Sequence, residues 1–260
     1  MLAVLRGARS LFSILLVGVA WVALTPLLRL VIIPGAWFFP ARRLSLVSFY
    51  MKLISHITLG LMHLGGARFR REGELPTASP VAIVANHQGL LDIMQITLLG
   101  QPFAPAFVTR TRYQRFVPHV SACMRLLCCP LIDPKRARVG AVKTIRRAAQ
   151  ELPNGLLIFP EGHRSRTGDV GAFRVIGVEA MLRAKRVPVY IVVNDGLWRA
   201  RRFVDSIFGL HLIDAWSAVY GPFEIPEDKA DIQGFVERLR EDIIARLNEH
   251  RAADSEAPAA

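Results

Sequence analysis

The chain opens on an apolar block. From Leu11 to Leu28 only Ser13 and Thr25 are polar, and Leu30 to Pro40 is apolar again, with Arg29 the single charge between the two runs. As a helix the first run would reach roughly 27 Å at about 1.5 Å per residue, which barely matches a hydrocarbon core of about 30 Å. Pro26 would kink its end, and the second run is too short to cross. Arg6 and Arg9 precede the block, while Arg42 and Arg43 follow it. Positive charge at both flanks favours keeping both ends on the cytoplasmic side. The pattern therefore predicts a re-entrant or tilted helical hairpin rather than one clean span. Gly18-Val19-Ala20 is a small-x-small triplet of the kind found at signal-peptide cleavage sites, but the apolar run continues well past it. A buried soluble helix is the blander alternative.

Beyond the block the pattern alternates. Leu44 to Leu64 reads as an amphipathic helix closed by Gly65-Gly66, and Ala67 to Glu72 as a short edge strand. Val81 to Ala85 and Gly155 to Phe159 are short apolar runs of the buried-strand kind, as is Val187 to Val193. Leu90 to Leu99 reads as a helix and Phe103 to Thr109 as a strand. Gly140 to Leu152 places Val142, Ile145, Ala149 and Leu152 on one helical face. Asp231 to Arg251 does the same with Ile232, Phe235, Leu239, Ile243 and Leu247. Strands separated by helices predict an α/β fold, a largely parallel mixed sheet flanked by helices, with an N-terminal membrane-associated helical pair. The expected division is an anchoring segment over 1–66, an α/β domain over 67–251 that carries the candidate chemistry below, and a disordered tail over 252–260. On this reading a chain begun near Ala41 keeps the chemistry of the domain.

Charge sharpens the picture. The sequence of 260 residues is 52% hydrophobic, with a net charge of +12 and a mean hydropathy of +0.32. No Asp or Glu occurs before Glu72, whereas Arg6, Arg9, Arg29, Arg42, Arg43, Lys52, Arg68, Arg70 and Arg71 do. Basic groups beside an apolar anchor are drawn to anionic headgroups. A membrane surface with anionic lipid is the expected partner. Nucleic acid is not, because no zinc finger, RNP aromatic motif or basic zipper accompanies the charge. Cys123, Cys128 and Cys129 form no disulfide framework and no zinc spacing, and read as small buried hydrophobes. The run Trp198-Arg199-Ala200-Arg201-Arg202-Phe203 suits either a membrane interface or an exposed loop.

Two strand-end loops carry candidate chemistry. The first is Asn86-His87-Gln88-Gly89-Leu90-Leu91-Asp92. Residues five apart on a straight helix point about 140° away from each other. His87 and Asp92 therefore meet only if His87 lies in a turn and Asp92 on the helix that begins there. A carboxylate on one imidazole nitrogen fixes the tautomer and leaves the other nitrogen as a base. The second is Ile158-Phe159-Pro160-Glu161-Gly162-His163-Arg164-Ser165-Arg166, where arginine forks suit phosphate oxygens. Ligands of open α/β sheets bind at such strand ends.

Asn86-His87-x4-Asp92 followed 74 residues later by Phe159-Pro160-Glu161-Gly162-x-Arg164-Ser165 resembles the glycerolipid acyltransferases. The resemblance runs from about Ser48 to Val193. A family block that usually reads Gly-x-x-Phe-Ile-x-Arg is here Cys128-Cys129-Pro130-Leu131-Ile132-Asp133-Pro134. Cys128 stands for the glycine and Pro134 for the arginine, while Lys135 and Arg136 follow at once. The usual threonine of the second motif is His163.

The resemblance implies transfer of a fatty acyl group from acyl-CoA or acyl-ACP, as co-substrate, to 1-acyl-glycerol-3-phosphate, giving phosphatidic acid. It implies His87 as base and Asp92 as its partner. Glu161, Gly162 and Arg164, with Lys135 or Arg136, would serve the headgroup. It implies no metal and no cofactor, and backbone amides near Gly162 as oxyanion donors. The expected location is the cytoplasmic face of the inner membrane. Another lyso-lipid acceptor, such as a lyso-ornithine lipid, keeps the reaction and changes the substrate. A non-catalytic lipid-binding scaffold is the reading of another class.

Overall fold

The computed structural model describes residues 2–76, 80–100, 102–115, 117–133, 138–200 and 203–256. Its first element is longer than the apolar pattern indicated. α1 (Leu2–Pro26) runs through a π-helical turn (Leu27–Ile32) directly into α2 (Ile33–Phe38). Pro26 and Pro34 bracket the π turn. Each lacks an amide donor and crowds the turn before it, and the wider winding absorbs both without breaking the rod. The chain reverses at Pro40–Arg42, and α3 (Arg43–Leu64) returns along α1. The two apolar runs are therefore one continuous rod and not the two arms of a hairpin; the hairpin that forms pairs this rod with α3, and its bend lies at Pro40–Arg42. Arg6 and Arg9 therefore stand at the opposite end of a rod from Arg42 and Arg43, roughly 55 Å away at about 1.5 Å per residue.

The rod is docked along its length. Near its start the Arg9 guanidinium donates to Leu64 O at 2.7 Å and Ser13 Oγ to Leu61 O at 2.6 Å. Near its other end Leu28 and Ile32, with Val47 and Tyr50 of α3, join the main hydrophobic core. The opposite face is bare: Phe12, Val22, Leu30, Trp37 and Phe38 are each more than 60% exposed. The helical hairpin thus shares one core with the domain that follows it.

That domain continues with β1 (Arg68–Glu72), β2 (Ala82–Ala85), α4 (Asp92–Leu99), β3 (Ala106–Phe107), β4 (Thr109–Arg110), α5 (Pro118–Leu126) and β5 (Leu131–Ile132). It closes with α6 (Arg138–Glu151), β6 (Leu156–Ile158), α7 (Val175–Ala184), β7 (Val189–Asp195), α8 (Phe203–Gly209), β8 (Asp214–Phe223) and α9 (Ile232–Glu256). The main sheet has the order β1-β8-β7-β2-β6-β3. β7, β2, β6 and β3 are parallel; β8 runs antiparallel to β7, and β1 parallel to β8. This is the expected α/β architecture with its reversed pair at one edge. β2 and β6 are buried on both faces, which is why they read as unbroken apolar runs. All five inward residues read for α9 are buried.

Some elements differ from the reading. The expected strand Phe103–Thr109 divides into β3 and β4, and β4 pairs with β5 in a separate small sheet. α9 continues to Glu256, and Asp254 on this extension accepts from Arg70 at 2.8 Å and 3.1 Å, so residues 252–256 are helix and not tail. α5 locks the domain to the hairpin: its buried His119 bonds the Tyr50 hydroxyl and packs edge-on against Trp21.

Candidate active site

The site forms where β2 and β6 end. β2 stops at Ala85, and the buried Asn86 ties that end to the end of β7. Asn194 N donates to Asn86 Oδ1 at 2.7 Å, and Asn86 Nδ2 to Asn194 O at 2.8 Å. His87 then lies in the turn, and Asp92 is the first residue of α4. The geometry required for the pair to meet is present: His87 Nδ1 stands 2.7 Å from Asp92 Oδ2. The same oxygen accepts the amides of Gln88 at 2.7 Å and Gly89 at 3.0 Å. Asp92 is fully buried, so these donors hold its carboxylate against the cost of leaving water. Gly89 is needed for room: a Cβ there would come within 2.9 Å of Leu197 Cβ.

The second loop closes on the first. The His87 ring stacks on Phe159 with centroids 4.1 Å apart. Ser165 N donates to His87 O at 2.7 Å. Glu161 is buried and bridges two backbones: His87 N donates to its Oε1 at 2.8 Å, and Gly171 N to its Oε2 at 2.9 Å. Burial pushes the Glu161 carboxyl up from its ordinary range, and the two amides oppose that shift. Both carboxylate oxygens of Glu161 are thus committed to the loops that carry the site.

Gly162 adopts φ +70°, and its amide donates to Phe159 O at 3.1 Å. The Gly162 amide is therefore occupied by the turn. Its carbonyl accepts from Arg110 Nη2, and the Arg174 guanidinium lies where a Cβ on Gly162 would sit, about 3.0 Å away. Arg164 is half-buried in the same loop. Arg110, at the end of β4, and Arg174, before α7, were missed by sequence reasoning. Only convergence in space marks them, since they lie 52 and 12 residues from Gly162. Pro134, Lys135 and Arg136 lie outside the described residues.

A third layer supports the turn. Gln88 Nε2 donates to Gly168 O at 2.9 Å and Asp195 Oδ1 at 3.1 Å, and Arg251 of α9 clamps Asp195 at 2.8 Å and 2.9 Å. Burial alone would raise the Asp195 carboxyl; the Arg251 and Gln88 bonds outweigh it and hold it below the usual carboxylate range. All three cysteines are free. Burial pushes the Cys123 and Cys129 thiols up to about 12, which leaves them protonated near neutral pH. Cys128 departs from the expectation of burial, being exposed with φ +55°. That is the left-handed region glycine favours, and this is the position where the resembling family carries glycine.

Residues 66–193 match the family model Acyltransferase. A chloroplastic 1-acyl-sn-glycerol-3-phosphate acyltransferase of Arabidopsis thaliana is 30% identical over 166 residues, 60% of this chain and 44% of that protein. A 1-acyl-sn-glycerol-3-phosphate acyltransferase of Chlamydomonas reinhardtii is 30% identical over 131 residues, 49% of this chain and 38% of that protein. The chain thus spans less than half the length of the curated relatives it matches. Among solved structures, the 1-acyl-sn-glycerophosphate acyltransferase PlsC of Thermotoga maritima shares the fold. Its TM-score is 0.72 at 18% identity, over 95% of this chain and 98% of that one. Family model, sequence relatives and fold agree with the motifs around His87 and Glu161: this chain resembles the glycerolipid acyltransferases.

Proposed function

We propose that this chain is a membrane-bound acyltransferase that moves a fatty acyl group from an acyl thioester to the free hydroxyl of 1-acyl-glycerol-3-phosphate, giving phosphatidic acid. The observation that carries the reading is the His87–Asp92 pair at 2.7 Å, set at a strand end and held from three sides. Asp92 fixes the Nδ1 proton, which leaves Nε2 to take a proton. The acceptor hydroxyl gives its proton to Nε2 as its oxygen attacks the thioester carbonyl. The C–S bond then breaks, and the leaving thiolate takes the proton back from the imidazolium. General base catalysis of this kind contributes about 10² to 10⁴ in rate. Transfer is direct, with no acyl-enzyme, no metal and no bound cofactor. Acyl-CoA and acyl-ACP are the proposed donors.

Arg110, Arg164 and Arg174 are the proposed contacts to the acceptor phosphate, around Gly162. Lys135 and Arg136 remain proposed on the sequence argument. Glu161 serves by holding the His87 and Gly162 loops together. The bare apolar face of the hairpin supports a membrane location. Because the rod is docked along its length, lying in one leaflet suits it better than crossing; we place it at the cytoplasmic face of the inner membrane. Lying flat also keeps Arg6, Arg9, Arg42 and Arg43 on one side. A site at the interface spares the lipid chains a transfer into water costing about 0.8 kcal/mol per CH₂.

The test is acyl transfer from labelled acyl-CoA and acyl-ACP to a panel of lyso-lipids. The reading expects label in phosphatidic acid. Label in an acylated ornithine lipid instead would replace the acceptor. No transfer to any lyso-lipid would leave the scaffold reading.

A further inference from the structure

A basic cavity lies away from the His87 loop. It measures about 440 Å³ and is lined by Gly66, Arg68, Arg199, His211, Leu212 and Asp214, among others. Its position follows from the sheet. β1 begins at Arg68 and β8 at Asp214, while β7, antiparallel to β8, ends at Asp195. All three points lie on the edge where β2 ends beside His87. The cavity is therefore at the catalytic end of the sheet, three strand spacings along it, or roughly 14 Å at about 4.8 Å each.

Its charge is predominantly positive. Arg68 and Arg199 are exposed, and among the described residues no carboxylate pairs with either. The Arg9 guanidinium stands against Gly66 in the wall, within 3.2 Å of where a Cβ would be. The acidic member, Asp214, faces Arg70 at 3.3 Å. The rim is apolar and continuous with the anchor: Leu64 of α3, Leu212, and Val204 and Phe208 of α8 are each more than half exposed, and α8 packs against α1 beside Gly7. Cationic forks in a cavity whose rim joins the bare face of an apolar hairpin match a phosphodiester with two acyl chains attached.

We propose that this cavity is a second, non-catalytic site for the headgroup of an anionic phospholipid, which seats the α8 end of the enzyme on the membrane beside the active site. The proposal rests on the membrane reading above. Arg68, Arg199 and Arg9 hold the phosphate; Leu64, Phe208 and Leu212 meet the chains. Lipid held here sets the depth and tilt of the sheet edge from which His87 works.

The test is flotation of the full chain, at low salt, with vesicles of phosphatidylcholine alone or mixed with phosphatidylglycerol. The wild type binds the mixed vesicles more tightly. Each basic residue near the surface contributes about fivefold, so Arg68→Gln with Arg199→Gln lowers that preference by roughly twenty-fivefold. Binding to phosphatidylcholine stays at the wild-type level, and Arg68→Lys with Arg199→Lys keeps the preference. Arg147→Gln with Arg238→Gln, which removes the same charge from α6 and α9, also keeps it. An equal loss in that control makes the preference a general charge effect and overturns the site, as does no loss in the cavity variant. Wild-type protein that binds neither vesicle overturns the membrane reading itself. Titration with inorganic phosphate separates the remaining source: saturable binding lost in the cavity variant, without any vesicle preference, assigns the cavity to a free anion and overturns the lipid.

Discussion

The loops around His87 and the helical hairpin solve opposite problems. In the loops, polar side chains are buried: Asn86, Gln88, Asp92 and Glu161 are all at most 2% exposed, and each is bonded to backbone. In the hairpin, apolar side chains are bare along one face. The loops gain precision from a dense set of hydrogen bonds, in which each missing partner costs about 1–3 kcal/mol; of the oxygens on these four side chains, Gln88 Oε1 and Asp92 Oδ1 have no partner among the described residues. The outer face of the hairpin gains nothing from water, and a bare apolar surface of this kind marks a site of membrane or protein contact. Yet its inner face fills the same core as the sheet that carries the loops. Hairpin and sheet are therefore one packing unit, and the bare-faced rod is also part of what keeps His87 in place.

The largest break in that comparison is removal of the first 40 residues. The sequence suggested a separable anchor; the shared core predicts otherwise. Burying a side chain such as Leu28 or Ile32 contributes about 1.5–3 kcal/mol, and a domain has only about 5–15 kcal/mol in hand. The shortened chain should lose its cooperative melting transition in detergent. A well-folded, active product would show that the two regions are independent.

Asp92→Asn should leave the hairpin and the fold in place and lower the rate by about 10²- to 10⁴-fold, because the imidazolium loses its charge partner. Steady-state kinetics with matched melting curves check this. Glu161→Gln is milder. Its amide offers a single acceptor to the two N–H groups now held by the carboxylate, leaving one unmatched at about 1–3 kcal/mol. A lower melting temperature with a fall in kcat larger than any rise in KM is expected. A change confined to the acceptor's KM would instead give Glu161 a direct role at the headgroup. The smallest effect is a gain: Cys128→Gly relieves a left-handed backbone and should stabilise by about 0.5–1 kcal/mol, with activity unchanged. Chemical denaturation measures it.

Much of this was legible in the sequence because it is local. The His87–Asp92 pair is encoded within six residues of a strand-turn-helix, and α6 and α9 carry their buried faces at helical spacing. The hairpin was visible as hydropathy, but its bend was not. Apolar composition does not say where a helix turns, and the kink expected at Pro26 is absorbed by the π turn. β8 was missed because its place depends on partners far along the chain, β1 on one side and β7 on the other. The same holds for Arg110 and Arg174 at Gly162, and for Arg251, which reaches Asp195 from 56 residues away. Such contacts leave no period to read. The role of Glu161 was hidden for a further reason: its partners are backbone amides, which have no sequence signature.

The most direct measurement of the central claim is formation of labelled phosphatidic acid from a labelled acyl thioester and 1-acyl-glycerol-3-phosphate, by wild type and His87→Ala side by side in the same mixed micelles. The account predicts steady product from the wild type and a loss of at least about 10²-fold in the variant, with both proteins melting alike. Comparable product from the two would contradict it.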